Sequence, residues 1–230
     1  MLKFIFTIAF IFIFIIFFNV HASESIGYYS NGSLKDSESI LERGVRIHKL
    51  FLSRKRFYGN VSLVDTLSDT ADFIRQELPN SQLMQVGDLA NKTGGRCQEH
   101  ASHQNGLDVD IVYLTKNRNL QSQDAPYWEE DFVKNGIVSK NLDLEKNFTL
   151  FKFLIKSHPV SRIFVDEAIK KQFCNFAKKY QHLSDPESIE TLRRLRIEKL
   201  HSTHFHLRLK CPATDGACVP QAEVPPGTGC

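Results

Sequence analysis

Two histidine strings, set far apart in the chain, carry the side chains best able to do chemistry: His100-Ala-Ser-His103-Gln-Asn-Gly-Leu-Asp-Val-Asp110 and His201-Ser-Thr-His204-Phe-His206. Five of the nine histidines fall in them. Imidazole nitrogens joined by a carboxylate are donors that a divalent zinc prefers, so the pattern points to a hydrolytic zinc enzyme. In such a site three protein ligands leave one position for water, whose pKa the metal lowers toward neutrality. His103, Asp110 and His206 are the expected ligands. His201 and His204 are expected to move protons, and the spacing does not say which of them is the base. His100 can serve as a further ligand, a support to one, or a substrate contact. Asp108 shares the face of Asp110, where it can orient a ligand histidine or serve the turn after Asn105-Gly106. A single H-x-H or H-x6-D would be a weak signal, because a lone strand histidine is usually structural; their joint occurrence carries the reading. No H-E-x-x-H helix, G-x-S-x-G elbow or S-x-x-K motif offers another hydrolytic scheme.

The elements that must position these residues can be read from periodicity. Strand patterns cover Gln82–Asp88, Leu107–Leu114, Arg162–Val165 and Thr203–Leu209. In an extended segment the period of two puts His204, His206 and Arg208 on one face and Phe205, Leu207 and Leu209 on the other. It likewise separates Asp108 and Asp110 from Leu107, Val109 and Ile111. Asp110 can then meet His206 if the two strands are antiparallel neighbours. Helices are expected from about Ser62 to Pro79, through Phe148, Phe151, Leu154 and Ile155 up to Pro159, and after Asp166 through Ile169, Phe173 and Ala177. The irregular order of helices and strands predicts an α+β fold, with a small antiparallel sheet carrying the site and helices flanking it. Asn117, Asp124 to Tyr127 and Lys134 to Lys140 read as a long loop that could wall the cleft.

The N-terminus bears on where this chemistry would happen. Lys3, an apolar run from Phe4 to Phe18, and Val20-His21-Ala22 form the pattern of a secretory signal with a small-residue cleavage site. The run is shorter than the roughly 20 residues that span a bilayer, so cleavage is expected rather than stable membrane insertion. Residues 1–22 are thus read as a signal peptide and 23–230 as one domain with a disulfide-tied tail. The formal net charge of +3 is mild and argues against a nucleic-acid partner. Five cysteines suit an exported chain. Cys211 and Cys218 are spaced to close a short loop, leaving Cys174 for Cys230, although spacing alone leaves other pairings open. Cys97 is then odd: a free thiol near the metal, a further donor, or, as is usual for a lone cysteine, simply buried and inert.

Gly94-Gly-Arg96, the two histidine strings, Arg162-Ile-Phe-Val165, Ala168-Ile-Lys-Lys-Gln-Phe-Cys174 and Arg208-Leu-Lys-Cys211-Pro212 together resemble the penicillin-insensitive murein endopeptidase family. That family belongs with the lysostaphin-like and D-Ala-D-Ala metallopeptidases and shares a zinc fold with hedgehog domains. The likeness covers nearly all of the chain after residue 23. It implies a periplasmic, zinc-dependent endopeptidase that cuts the D-alanyl-meso-diaminopimelyl cross-link between stem peptides of peptidoglycan. It also implies His103, Asp110 and His206 as zinc ligands, His100 as an additional metal-site residue, and His201 and His204 as catalytic. The chain departs from the family pattern at Ser33, where relatives often carry a cysteine, so one disulfide fewer is expected. Its short Gly95-to-His100 segment brings Cys97 and Glu99 near the site. Nothing around Asn135-Gly136 matches further metal ligands, so one zinc is expected. A zinc D,D-carboxypeptidase or amidase, and a non-catalytic hedgehog-like zinc module, are the alternative readings.

Overall fold

Apolar stripes on the helices of this chain cover one face of a mixed sheet. The computed structural model describes residues 23–230, and the expected signal segment, 1–22, lies outside them. Among the described residues no helix is long and apolar enough to cross a membrane. The chain opens with an antiparallel hairpin, β1 (Glu24–Tyr28) and β2 (Asn31–Lys35), followed by β3 (Glu38–Ser39), β4 (His48–Lys49) and β5 (Tyr58–Gly59). Helix α1 (Val61–Glu77) leads to β6 (Gln85–Val86) and β7 (Asp108–Ile111). A small hairpin, β8 (Val133–Lys134) and β9 (Ile137–Val138), precedes α2 (Leu144–Ser157). Strand β10 (Val160–Val165), α3 (Glu167–Lys179), α4 (Pro186–Arg194), β11 (Leu195–Ile197) and β12 (Phe205–Leu209) complete the order.

Six strands join in the order β11-β10-β12-β7-β6-β4. The centre is antiparallel, as expected, because β12 pairs with both β10 and β7 in that sense and β7 with β6. The two edge pairs, β10 with β11 and β4 with β6, are parallel, which the sequence reading did not foresee. Their connections explain it. Each pair is joined through helix, α1 in one case and α3 with α4 in the other, and a helical crossover returns the chain in its original direction.

Alternation along β12 works as expected. Phe205, Leu207 and Leu209 are fully buried in the core. Phe151 of α2 lies edge-on to Phe205, with ring centroids 4.9 Å apart, and to Phe173 of α3 at 5.3 Å. Helix α1 begins one residue ahead of the expected Ser62, because the Asn60 side chain accepts the Ser62 N–H at 3.0 Å and caps it. Helix α4 escaped the sequence reading although it carries a start signal: Asp185 caps it through the Glu187 and Ser188 N–H groups, and Pro186 fills its first position. The segment read as loop at 134–140 contains the β8–β9 hairpin. Asn135 and Gly136 make its turn with positive φ at both positions, the pairing that a tight hairpin favours.

The termini of the described chain are tied together. Gly27 of β1 bridges Cys218 in parallel, beside the Cys211–Cys218 disulfide, and a Cys174–Cys230 disulfide fastens the last residue to α3. Cys97 is free and buried. Because Phe151 joins α2 to both the sheet and α3, Phe151→Ala should destabilise the protein by about 3–5 kcal/mol. Urea unfolding with an unchanged m-value checks this; a loss below about 1 kcal/mol would show that the contact is not part of the core.

Candidate active site

The pairing of β7 with β12 assembles the site. Their register sets His206 opposite Asp110 and Arg208 opposite Asp108, so the polar faces of both strands point to the same side. That side opens into a cleft of about 770 Å³, lined among others by His100, His103, Asp110, His201, His204 and His206. All six residues singled out from the sequence are therefore brought to one place.

Asp110 stands at its centre. Four imidazole nitrogens face its carboxylate: His206 Nδ1 at 3.3 Å, His103 Nε2 at 3.4 Å and His204 Nε2 at 3.5 Å from Oδ1, with His100 Nδ1 at 3.6 Å from Oδ2. Asp110 and His103 are each only 1% exposed, yet neither Asp110 oxygen nor either His103 ring nitrogen has a hydrogen-bond partner among the described residues. A buried polar atom left so costs about 1–3 kcal/mol, more when charged. Donor atoms of His100, His103 and Asp110 all lie within 4.8 Å of one another. The orphaned donors and their chemistry fit a divalent cation.

Asp108 organises the surroundings of that centre. Its Oδ1 accepts from His206 Nε2 at 2.9 Å and from Arg208 Nε at 2.7 Å, while Oδ2 accepts from Arg208 Nη2 at 3.1 Å and from the His103 backbone N–H at 3.0 Å. Asp108 thus orients His206 and ties down the turn that leads into β7. Burial alone would raise its carboxyl, but Arg208 and His206 hold it far below the ordinary range. A carboxylate only accepts, so His206 Nε2 carries a proton toward Asp108 while Nδ1 faces Asp110; burial lowers the imidazole, but the two carboxylates more than offset it, so the net direction is up. The bond from the His103 backbone N–H to Asp108 helps hold His103 at φ 66°, a left-handed conformation that costs a non-glycine residue about 1–3 kcal/mol and persists because its surroundings fix it. Gly106 opens the turn into β7 at φ 76°, where a Cβ would lie 2.6 Å from Leu34 Cδ2.

Several neighbours carried no sequence signal. Asp88, also 1% exposed, accepts on Oδ2 from His100 Nε2 at 2.9 Å, Arg54 Nη1 at 2.8 Å and Arg56 Nη1 at 3.0 Å. Burial pushes the Asp88 carboxyl up, and the bonds from His100 and Arg54 more than offset it, so the net direction is down. His100 is thereby oriented by one carboxylate and aimed at another. Glu99 reaches Arg54 at 3.4 Å, on the cleft rim as expected. The Cys97 thiol faces the main-chain oxygens of Gly95 and His103, and burial raises it, which matches the inert reading.

His201 and His204 also line the cleft. A carbonyl only accepts, so His201 Nδ1 carries a proton donated to Lys199 O at 2.7 Å, and Nε2 keeps its lone pair. Burial first, then repulsion from His204 and His206, push His201 down to about 4. His204 Nδ1 meets Thr203 Oγ1 at 2.8 Å, and its ring lies flat against Trp128, a residue the sequence reading did not single out.

A family model described as penicillin-insensitive murein endopeptidase matches residues 25–230. Relatives bearing that description include proteins of Klebsiella pneumoniae (strain 342), 32% identical over 91% of this chain and 74% of the relative, and of Yersinia pestis bv. Antiqua (strain Antiqua), 33% identical over 90% and 73%. One from Escherichia coli O157:H7 (strain EC4115 / EHEC) is 32% identical over the same shares as the Klebsiella protein.

Removing the Asp108 carboxylate strands a buried guanidinium. Asp108→Ala is therefore expected to cost about 3–5 kcal/mol in urea unfolding, whereas a surface control such as Asp72→Ala should stay within about 0.5 kcal/mol. Equal stability of the two variants would contradict the organising role of Asp108.

Proposed function

The chain belongs to the penicillin-insensitive murein endopeptidase family, and on that premise we propose that it is a zinc-dependent endopeptidase hydrolysing the D-alanyl-meso-diaminopimelyl cross-link of peptidoglycan. One observation carries the reading: four imidazoles converge on a buried Asp110 whose oxygens have no other partner, at the floor of an open cleft. His103, Asp110 and His206 would hold the zinc, with His100 as a fourth metal-site residue. When bound there, zinc supplies Lewis acidity toward a scissile carbonyl and toward water.

The chain's own residues do the rest. Asp108 holds His206 by its Nε2 proton and so presents Nδ1 to the site. Asp88 does the same for His100 through Nε2. His201 keeps a free lone pair on Nε2 and can accept a proton there, while His204 lies beside Asp110, placed to return a proton to the leaving amine. The cleft is open to solvent, and Tyr127 and Leu200, both exposed, are among the residues that line it. Residues 23–230 are proposed to act as one metallopeptidase domain in the periplasm after removal of the signal at 1–22, on the strength of the Lys3-to-Ala22 pattern and two disulfides.

Purified protein incubated with cross-linked sacculi should convert dimeric muropeptides to monomers, lose that activity with a chelator and regain it with zinc. Loss of only a terminal D-Ala would support the carboxypeptidase reading instead. Full zinc occupancy without chelator-sensitive hydrolysis would sink the enzyme reading. His206→Ala is expected to lose both zinc and activity. His204→Ala should keep zinc, measured by metal analysis, and lose about 10²–10⁴-fold in turnover.

A further inference from the structure

We propose that Trp128 is a positioning residue for His204, setting the plane of its imidazole, and that position 87 must be glycine to admit the indole. The proposal rests on the reading of His204 as a proton-handling group.

The two polar contacts of His204, to Thr203 and Asp110, lie at its ring nitrogens. A histidine ring turns in a broad torsional well, so one close contact and one long one at its edge narrow its rocking about the Cβ–Cγ bond without fixing its plane. Its face is where Trp128 acts. The two rings are stacked with centroids 4.4 Å apart and planes 16° apart.

Trp128 is itself held on several sides. Phe51, 1% exposed, meets it edge-on with centroids 4.8 Å apart. The Arg54 guanidinium covers the Phe51 ring at 4.0 Å and donates to Pro126 O, which pins the chain just before Trp128. Just after it, the Glu129 N–H donates to Gln121 Oε1 at 2.9 Å, and the Phe132 N–H to Ser202 O at 2.8 Å. This last bond ties the tryptophan loop directly to the His201–His204 segment. Gly87, next to β6, lies under the indole, and a Cβ built there would fall inside van der Waals contact of Trp128 Cη2. Because the Gly87 N–H donates to Asp110 O at 2.8 Å, the backbone beneath the indole is fixed by the strand that carries the site.

Trp128 is the only tryptophan in the chain, so its spectrum reports the stack without any substrate. In the purified protein, His204→Ala should change tryptophan emission and near-UV circular dichroism while far-UV dichroism stays unchanged. In muropeptide hydrolysis, Trp128→Leu should lower kcat by about tenfold to a hundredfold, the scale of a misplaced catalytic group, with KM and zinc content as in wild type. Trp128→Phe, which keeps a flat face, should restore most of kcat. Gly87→Ala should reproduce both the spectral change and the kcat loss, and thermal unfolding will confirm that each variant is folded. Wild-type kcat in Trp128→Leu or Gly87→Ala would overturn the proposal, as would an effect confined to KM, which marks a substrate contact. If wild-type protein does not hydrolyse murein, the functional reading fails by itself. The spectral comparison still stands then, and no change in His204→Ala would remove the stack on which the proposal depends.

Discussion

A buried carboxylate sets the geometry on which the site depends. Asp108 is wholly inside the protein, and such a charge is tolerated only when every lone pair is used. It uses them on Arg208 and His206 from the neighbouring strand and on the His103 backbone N–H from the preceding loop. Two separate pieces of chain, strand β12 and the loop before β7, are thereby fixed to one residue. The β7–β12 register follows, since a slip by one residue would turn either Asp108 and Asp110 or His206 and Arg208 into the apolar core.

Two carboxylates separated by one residue have opposite fates in consequence. Asp108 is saturated by hydrogen bonds and serves as scaffold; Asp110, on the same face, has none and is ringed by imidazole nitrogens. Asp88 repeats the scaffold role on the far side, where it fixes His100. Such an arrangement is expensive for a protein without a cation and natural for one that binds it, because the unsatisfied donors are then the ligands. Holding His103 at positive φ adds to that cost and keeps its ring aimed inward.

The helices matter to the site through the other face of the same strands. Phe151 packs on Phe205, directly adjoining His204 and His206 in sequence, so core packing and site geometry share a backbone. The walls come from elsewhere: the loop carrying Trp128 from one side and the Glu198-to-Thr203 segment from the other.

Histidine spacing and strand alternation were enough to determine which residues gather, on which face of each strand, and in which fold class, because a period of two leaves little freedom once one face is apolar. The cysteines crowded into the tail suggested Cys211 with Cys218 and Cys174 with Cys230 but left other pairings open, and the tertiary structure made the choice. The partners of the gathered residues were decided only by the tertiary structure. Arg54 and Trp128 reach the site from loops whose sequence has no periodicity, and Asp88 from the end of the expected Gln82–Asp88 strand; nothing local marks any of the three as a partner of the site. The parallel edges of the sheet likewise depend on where crossover helices pack, which is a property of the whole core. Asp108 lies between these cases: its face was legible from alternation, but its partners became so only when Arg208 was paired opposite it.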